Sequence, residues 1–140
     1  MAESGALLDT VARTAEATPG LVALYVFGSA LRPSGAPPRD LDVAVVWDEE
    51  LPAEERWKRG QALARRIEVA TPQLPVDLID LRDAPPALQH RVLSEGRRVT
   101  DAAPVARVRF EAETLSRALD FIEWQKPFLD RWLQRMADGR

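Results

Sequence analysis

Between Ser4 and Ala17 the apolar residues Leu7, Leu8, Val11 and Ala15 recur at spacings of three and four. This predicts a short amphipathic helix closed by Pro19-Gly20. The next seven residues, LVALYVF (21–27), are apolar throughout and rich in branched and aromatic types, the pattern of a central strand covered on both faces. After a Pro- and Gly-containing loop, DLDVAVVW (40–47) alternates. Asp40, Asp42, Ala44 and Val46 share one face and Leu41, Val43, Val45 and Trp47 the other.

From Pro52, a favourable first helical residue, AEERWKRGQALARRIEVA brings Trp57, Gly60, Ala64 and Ile67 around at helical spacing until Pro72. PVDLIDL (75–81) reads as a third strand with Asp77 inside it, and APPALQHRVLSEG as a helix ending at Gly96. Arg97 and Arg98 then read as a solvated strand end. From Pro104 to Met136 the positions Val105, Val108, Ala112, Leu115, Leu119, Ile122, Leu129, Leu133 and Met136 step by three and four. A second stripe, Phe121, Trp124, Phe128 and Trp132, runs beside them. Proline lacks the N–H that a helix interior uses, so Pro127 is expected to kink or split this segment.

The elements describe an α/β (α+β) fold, a small mixed β-sheet flanked by helices with a long C-terminal helical region at 104–137. Its length of 140 residues suits one domain. Hydrophobic residues make up 46% and charged residues 29%, enough apolar material for a core and too little charge imbalance for disorder. The formal charge of −3 gives no general attraction for a polyanion, which disfavours direct nucleic-acid binding. Without cysteine there are no disulfides and no thiolate metal sites. No apolar run approaches a membrane span and the N-terminus lacks the signal-peptide pattern, so a cytoplasmic location is expected.

Buried strands do not normally begin with carboxylates. Asp40 and Asp42 leave one strand on the same face, and Asp77 lies on a strand that can pair beside it. Asp80 points to the opposite face and Asp83 follows the strand. Three converging carboxylates repel one another unless a cation neutralises them. Mg²⁺ takes oxygen ligands, and two such ions ~3.5–4 Å apart clamp the attacking and leaving oxygens of a phosphoryl or nucleotidyl transfer. Gly28-Ser29, at the turn after the first strand, exposes backbone N–H groups and a hydroxyl to phosphate oxygens. Arg32 and Arg39, in the same loop, are suited to neutralising a triphosphate. His90, the sole histidine, lies on a polar helix face and reads as a surface residue.

Gly28-Ser29, then Asp40-Leu41-Asp42 after ten residues, a helix, and a carboxylate within VDLIDL resemble the polymerase-beta-type nucleotidyltransferase superfamily. Within it, the short chain, GSALR and VDLIDLRDAPPALQHRVLSEGRRV resemble the minimal nucleotidyltransferase (MNT-domain) antitoxins. The likeness covers residues 21 to 100. It implies Mg²⁺ and ATP, and a helical HEPN-type toxin partner blocked by transfer of AMP onto a tyrosine. By matching positions it makes Gly28 and Ser29 phosphate binders and Asp40, Asp42 and Asp77 metal-binding carboxylates. The chain departs from the family pattern at Arg39, where a small hydroxyl residue often precedes the first aspartate, and at Pro33, where glycine often follows the loop arginine.

Nearly all of the chain is taken up by the nucleotide-binding core, so another molecule must present the acceptor hydroxyl. A folded protein suits an acidic chain better than RNA. Tyr25, the sole tyrosine, is expected to be buried and so not its own acceptor. The stripe Phe121, Trp124, Phe128 and Trp132 is a candidate partner or homo-oligomer surface. Two alternatives stand beside this reading. One is an antitoxin that neutralises its toxin by binding alone. The other is a nucleotidyltransferase acting on a small molecule such as an aminoglycoside, through a pocket completed by dimerisation.

Overall fold

The computed structural model describes residues 2–32 and 37–139, so Pro33 lies outside the described residues. The chain runs α1 (Ala2–Ala15), β1 (Leu21–Phe27), a 3-10 turn (Gly28–Leu31), β2 (Leu41–Trp47) and α2 (Ala53–Ala70). It continues through β3 (Val76–Asp80), a second 3-10 turn (Leu81–Asp83), α3 (Pro86–Glu95), β4 (Arg97–Asp101) and α4 (Pro104–Ala137). The strand order is β3-β2-β1-β4. β1 is antiparallel to both of its neighbours, while β2 and β3 are parallel and joined through α2, as a parallel pair requires.

All seven residues of β1 are buried, as the unbroken apolar run predicts. Strand alternation sorts the core into two layers. Leu24, Val26, Leu41, Val43, Val45 and Trp47 pack with Leu8, Val11 and Ala15 of α1 and Leu63 and Ile67 of α2. Ala23, Tyr25, Phe27, Ala44 and Val46 pack on the other face with Leu81, Val92 of α3 and Phe110 of α4. Each fully buried Val or Leu contributes roughly 1.5–3 kcal/mol by leaving water. No helix among the described residues is long and apolar enough to cross a membrane.

The structure corrects several local expectations. β2 begins at Leu41, so Asp40 lies just ahead of the strand. On α2 the buried positions are Gly60, Leu63 and Ile67, whereas Trp57 is exposed. A Cβ on Gly60 would stand 3.3 Å from Leu78 Cδ2, so the smallest residue marks the line where helix meets sheet. Gly96 does end α3, yet with φ −71°, outside the left-handed region. Its lack of a side chain matters because a Cβ there would meet the Val92 carbonyl oxygen at 2.5 Å.

The largest difference concerns α4. It runs unbroken for 34 residues with Pro127 inside it. Residues 123–139 are all exposed, so water can satisfy the carbonyl that Pro127 leaves without an N–H partner. The face that docks is Phe110, Thr114 and Ala118, while Val105, Val108, Leu119, Leu129, Leu133 and Met136 of the expected stripe are exposed. A polar clasp selects that face. Arg107 donates to both Asp101 oxygens at 3.1 Å and to Glu111 Oε2 at 3.0 Å. The Tyr25 hydroxyl donates to Glu111 Oε1 from inside the sheet. Arg82 lies 5.0 Å over the Phe110 ring, a favourable cation–π arrangement.

Candidate active site

The candidate site lies at the sheet end where β1 finishes and β2 and β3 begin. Phe27 is opposite Asp42 in the β1–β2 pair, and Asp42 is opposite Asp77 in the β2–β3 pair. The three residues form one row across three strands. Ala44 and Ile79, two residues farther along β2 and β3, pack in the layer beneath α3 and α4, so period-two alternation puts Asp42 and Asp77 on that face. Asp80 faces the other way, toward α2, where its carboxylate is 3.3 Å from Arg56 Nε. It also accepts from the Arg82 N–H and caps the second 3-10 turn. The structure thus separates Asp77 from Asp80 as alternation requires.

After Phe27 the backbone turns through Gly28 with φ +74°, a left-handed conformation that favours glycine. A Cβ at this position would overlap Asp42 Oδ2. Ser29 follows, its Oγ donating to Asp40 Oδ1 at 3.0 Å. The hydroxyl expected to meet phosphate therefore orients Asp40 in this structure. Gly28, Ser29, Asp40 and Asp42 form one contiguous cluster, with Asp77 beside Asp42 and more exposed.

Burial, and after it the charges of Asp40 and Asp77, holds the Asp42 carboxyl above the usual carboxylate range; Arg91 pulls the other way. Mutual repulsion of this kind favours a cation among the three. The donor set is all oxygen and fits a hard ion such as Mg²⁺. Among the described residues, no group of three such side chains closes to holding distance of a common point. Adjacent strands fix neighbouring Cα positions ~4.8 Å apart, while the carboxylates turn about χ1 and χ2.

Beside Gly28 a cavity of about 320 Å³ is lined by Phe27, Gly28, Leu31, Arg32, Arg91 and Glu95. Arg32, expected near a triphosphate, is on its wall. Arg39 is exposed immediately before Asp40 and does not line this cavity. Arg91 and Glu95 were not among the residues singled out from the sequence. They sit one turn apart on α3, and only the fold brings the C-terminal end of that helix against the Gly28 turn. Phe121, Trp124, Phe128 and Trp132 are away from this cluster, all exposed on α4, at 42%, 64%, 54% and 55% of their full surface.

The family profile described as polymerase beta, nucleotidyltransferase matches residues 9–104. The chain is 32% identical over 81 residues to the protein adenylyltransferase MntA of Shewanella oneidensis, a match covering 58% of this chain and 55% of that protein. It therefore spans about half the length of this curated relative. A solved toxin–antitoxin structure with AMP-PNP superposes with a TM-score of 0.67 at 24% identity, covering 90% of this chain and 98% of that one. The tri-AMPylated Shewanella oneidensis HEPN toxin in complex with MNT antitoxin gives 0.65 at 23% identity, with 93% and 98% covered. At these identities the likeness is one of fold.

Proposed function

Because the chain belongs to the polymerase beta nucleotidyltransferase family, we propose that it transfers AMP from ATP onto a tyrosine hydroxyl of a HEPN-type toxin, and so serves as that toxin's antitoxin. The observation that carries this reading is the row in which Asp42 stands opposite Asp77, with Gly28 closed against the Asp42 carboxylate. Toxin–antitoxin assembly, AMPylation and AMP-PNP binding are features of the proteins this chain resembles. They are extended here to its own site.

Asp40, Asp42 and Asp77 would hold Mg²⁺, which when bound screens the phosphates and polarises the transferred one. The Gly28 turn brings backbone close to the phosphates, with Arg32 and Arg39 as their counter-charges. Ser29 keeps Asp40 turned toward the site. The acceptor oxygen forms a bond to the α-phosphorus as the bond from that phosphorus to the bridging oxygen breaks. Pyrophosphate leaves with that oxygen, and Asp77 receives the hydroxyl proton before passing it to water. The exposed aromatic face of α4 is where the toxin would bind, and dependence on ATP fits a cytoplasmic protein.

Incubation with α-labelled ATP, Mg²⁺ and a cognate HEPN-type toxin should label that toxin. The Asp40→Ala/Asp42→Ala chain should not. An unlabelled partner with the unmodified chain would refute the transfer. If the double variant still neutralised the toxin fully, the chain would be an antitoxin by binding alone.

A further inference from the structure

α4 carries a third face that neither the core nor the candidate site uses. From Val105 to Met136 its apolar positions step alternately by three and four for the length of the helix, and Lys126 fills the single polar slot. Such alternation is the heptad pattern, with Leu119 and Leu133 among its first positions and Ile122 and Leu129 among its fourth. At about 100° per residue this stripe lies roughly 115° around the helix from Phe110, Thr114 and Ala118, which dock, and roughly 150° from the aromatic stripe. It therefore points away from the body. Leu119, Leu129 and Leu133 are half-exposed, and Val105 and Met136 more so.

We infer that this face joins two copies of the chain, α4 against α4, as an antiparallel helix pair about a two-fold axis that places Leu119 opposite Ile122 of the second copy. The stripe is complementary to itself in that register. Small residues meet large ones, Ala112 facing Leu129 of the second copy and Val108 facing Leu133. Antiparallel pairing also brings equivalent flanking positions together, so Arg109 stands beside Asp130 of the second copy, and the two-fold repeats the contact. Both residues are exposed, and among the described residues neither is ion-paired within its own chain.

A parallel pair would instead set Lys126 against Lys126 and leave Arg109 beside no acid. In the antiparallel register Lys126 faces Leu115, along which its methylene stem can lie with the ammonium in water. Pro127 falls outside the seam. The two core layers are complete without this face, so dissociation leaves a folded monomer. None of this depends on the transferase reading.

Sedimentation equilibrium of the full chain alone, from about 1 to 200 µM, should show a dimer whose share rises with concentration. Leu119→Glu puts a charge in the central layer and should weaken self-association about 30-fold or more. Arg109→Glu and Asp130→Arg, each alone, should weaken it about tenfold in low salt, because each sets like charges together twice. The double exchange Arg109→Glu/Asp130→Arg should recover it, which neither misfolding nor a parallel pair would allow. Circular dichroism checks the fold of each variant. The chain has no cysteine, so Val108→Cys/Leu133→Cys should form an intermolecular disulfide under mild oxidation, and neither single variant should.

A chain that stays monomeric at about 200 µM would overturn the inference. So would a dimer that cross-links through either cysteine alone, or one indifferent to the charge exchange. A monomeric chain whose binding to a HEPN-type toxin is weakened by Leu119→Glu would overturn it by assigning the stripe to the toxin.

Discussion

Gly28 and Asp42 share one small volume: the space a side chain would need at position 28 is filled by the Asp42 carboxylate. The backbone at 28 is also left-handed, with φ +74°. Gly28→Ala therefore meets a steric and a conformational penalty together, and it can relax only by moving Asp42 or the turn. Unfolding free energy should fall by about 2 kcal/mol. Transfer should fall about 100-fold or more, because ångström-scale displacement of a reacting group costs that much. Denaturant titration and a labelled-ATP assay check the two effects. Full activity in a stably folded Gly28→Ala chain would show that the close approach has no catalytic role.

Tyr25 should resist ionisation until the protein unfolds. Burial, followed by its hydrogen bond to Glu111 and that residue's negative charge, pushes the phenol far above its ordinary value of 10.0. A folded pKa above the unfolded one means that the associated stability is fully present below the unfolded pKa and lost as pH rises beyond it. Tyrosinate absorbance, unambiguous for a sole tyrosine, should appear together with loss of structure in alkali. Tyr25→Phe should cost about 1–2 kcal/mol at neutral pH and, having no phenol to ionise, should lose stability less steeply in alkali than the unmodified chain. A simple titration near the ordinary value in folded protein would contradict this.

Asp42 is raised for a different reason, burial followed by the neighbouring Asp40 and Asp77. The sign is the same: its favourable contribution is complete below the ordinary carboxylate pKa of 3.8 and fades as pH rises through the folded value. In metal-free buffer at neutral pH, Asp42→Asn should stabilise the fold slightly, by about 0.5 kcal/mol or less once solvent screening of this partly exposed carboxylate is allowed for, with the gain shrinking toward acid. Thermal melts across pH check this. Mg²⁺ should raise the melting temperature of the unmodified chain more than that of Asp42→Asn, as expected for a ligand that binds only the native state.

Much of the site was legible because strands repeat every two residues. Asp42 falls on the face of Ala44 and Val46, and Asp80 falls opposite Asp77, by alternation alone, and the structure keeps both assignments. Gly28-Ser29 was legible through its spacing to Asp40. Arg91 and Glu95 were not, since a basic and an acidic residue one turn apart on a helix look like an ordinary surface pair. β4, spelled RRVTD, is too polar to announce a strand; only its start was foreseen, as a solvated strand end. The docking face of α4 was misjudged because apolar residues lie around most of that helix. Small residues at 114 and 118 and the Arg107–Glu111–Tyr25 clasp choose the buried side, and hydrophobicity alone does not disclose a clasp.

The distal part of α4 should be dispensable for folding and necessary for partner binding. Ending the chain after Gln125 removes Phe128 and Trp132, both exposed, and should change unfolding free energy by about 0.5 kcal/mol or less. Trp124, 64% exposed, stands 5.2 Å from Phe128, ring centre to ring centre. Trp124→Ala should weaken toxin binding by about 2 kcal/mol, roughly 30-fold, the scale of an aromatic hot spot. Native mass spectrometry and titration read the outcome: an undiminished complex on truncation would remove the part of α4 beyond Gln125 from the interface, and undiminished binding by Trp124→Ala would remove Trp124.

The unbroken passage of α4 through Pro127 makes its free portion a lever arm. From Glu123 to Ala137 it extends about 22 Å at the usual rise per residue. Anything seated on its far end is held at a set reach and azimuth relative to Asp42. Inserting four residues ahead of Trp124 would advance the aromatic face about 6 Å and swing it about 40°, whereas inserting two would turn it about 200°, to the far side of the rod. Modification of a bound protein should then depend on helical phase as well as on length, as it would for a ruler that also carries an angle.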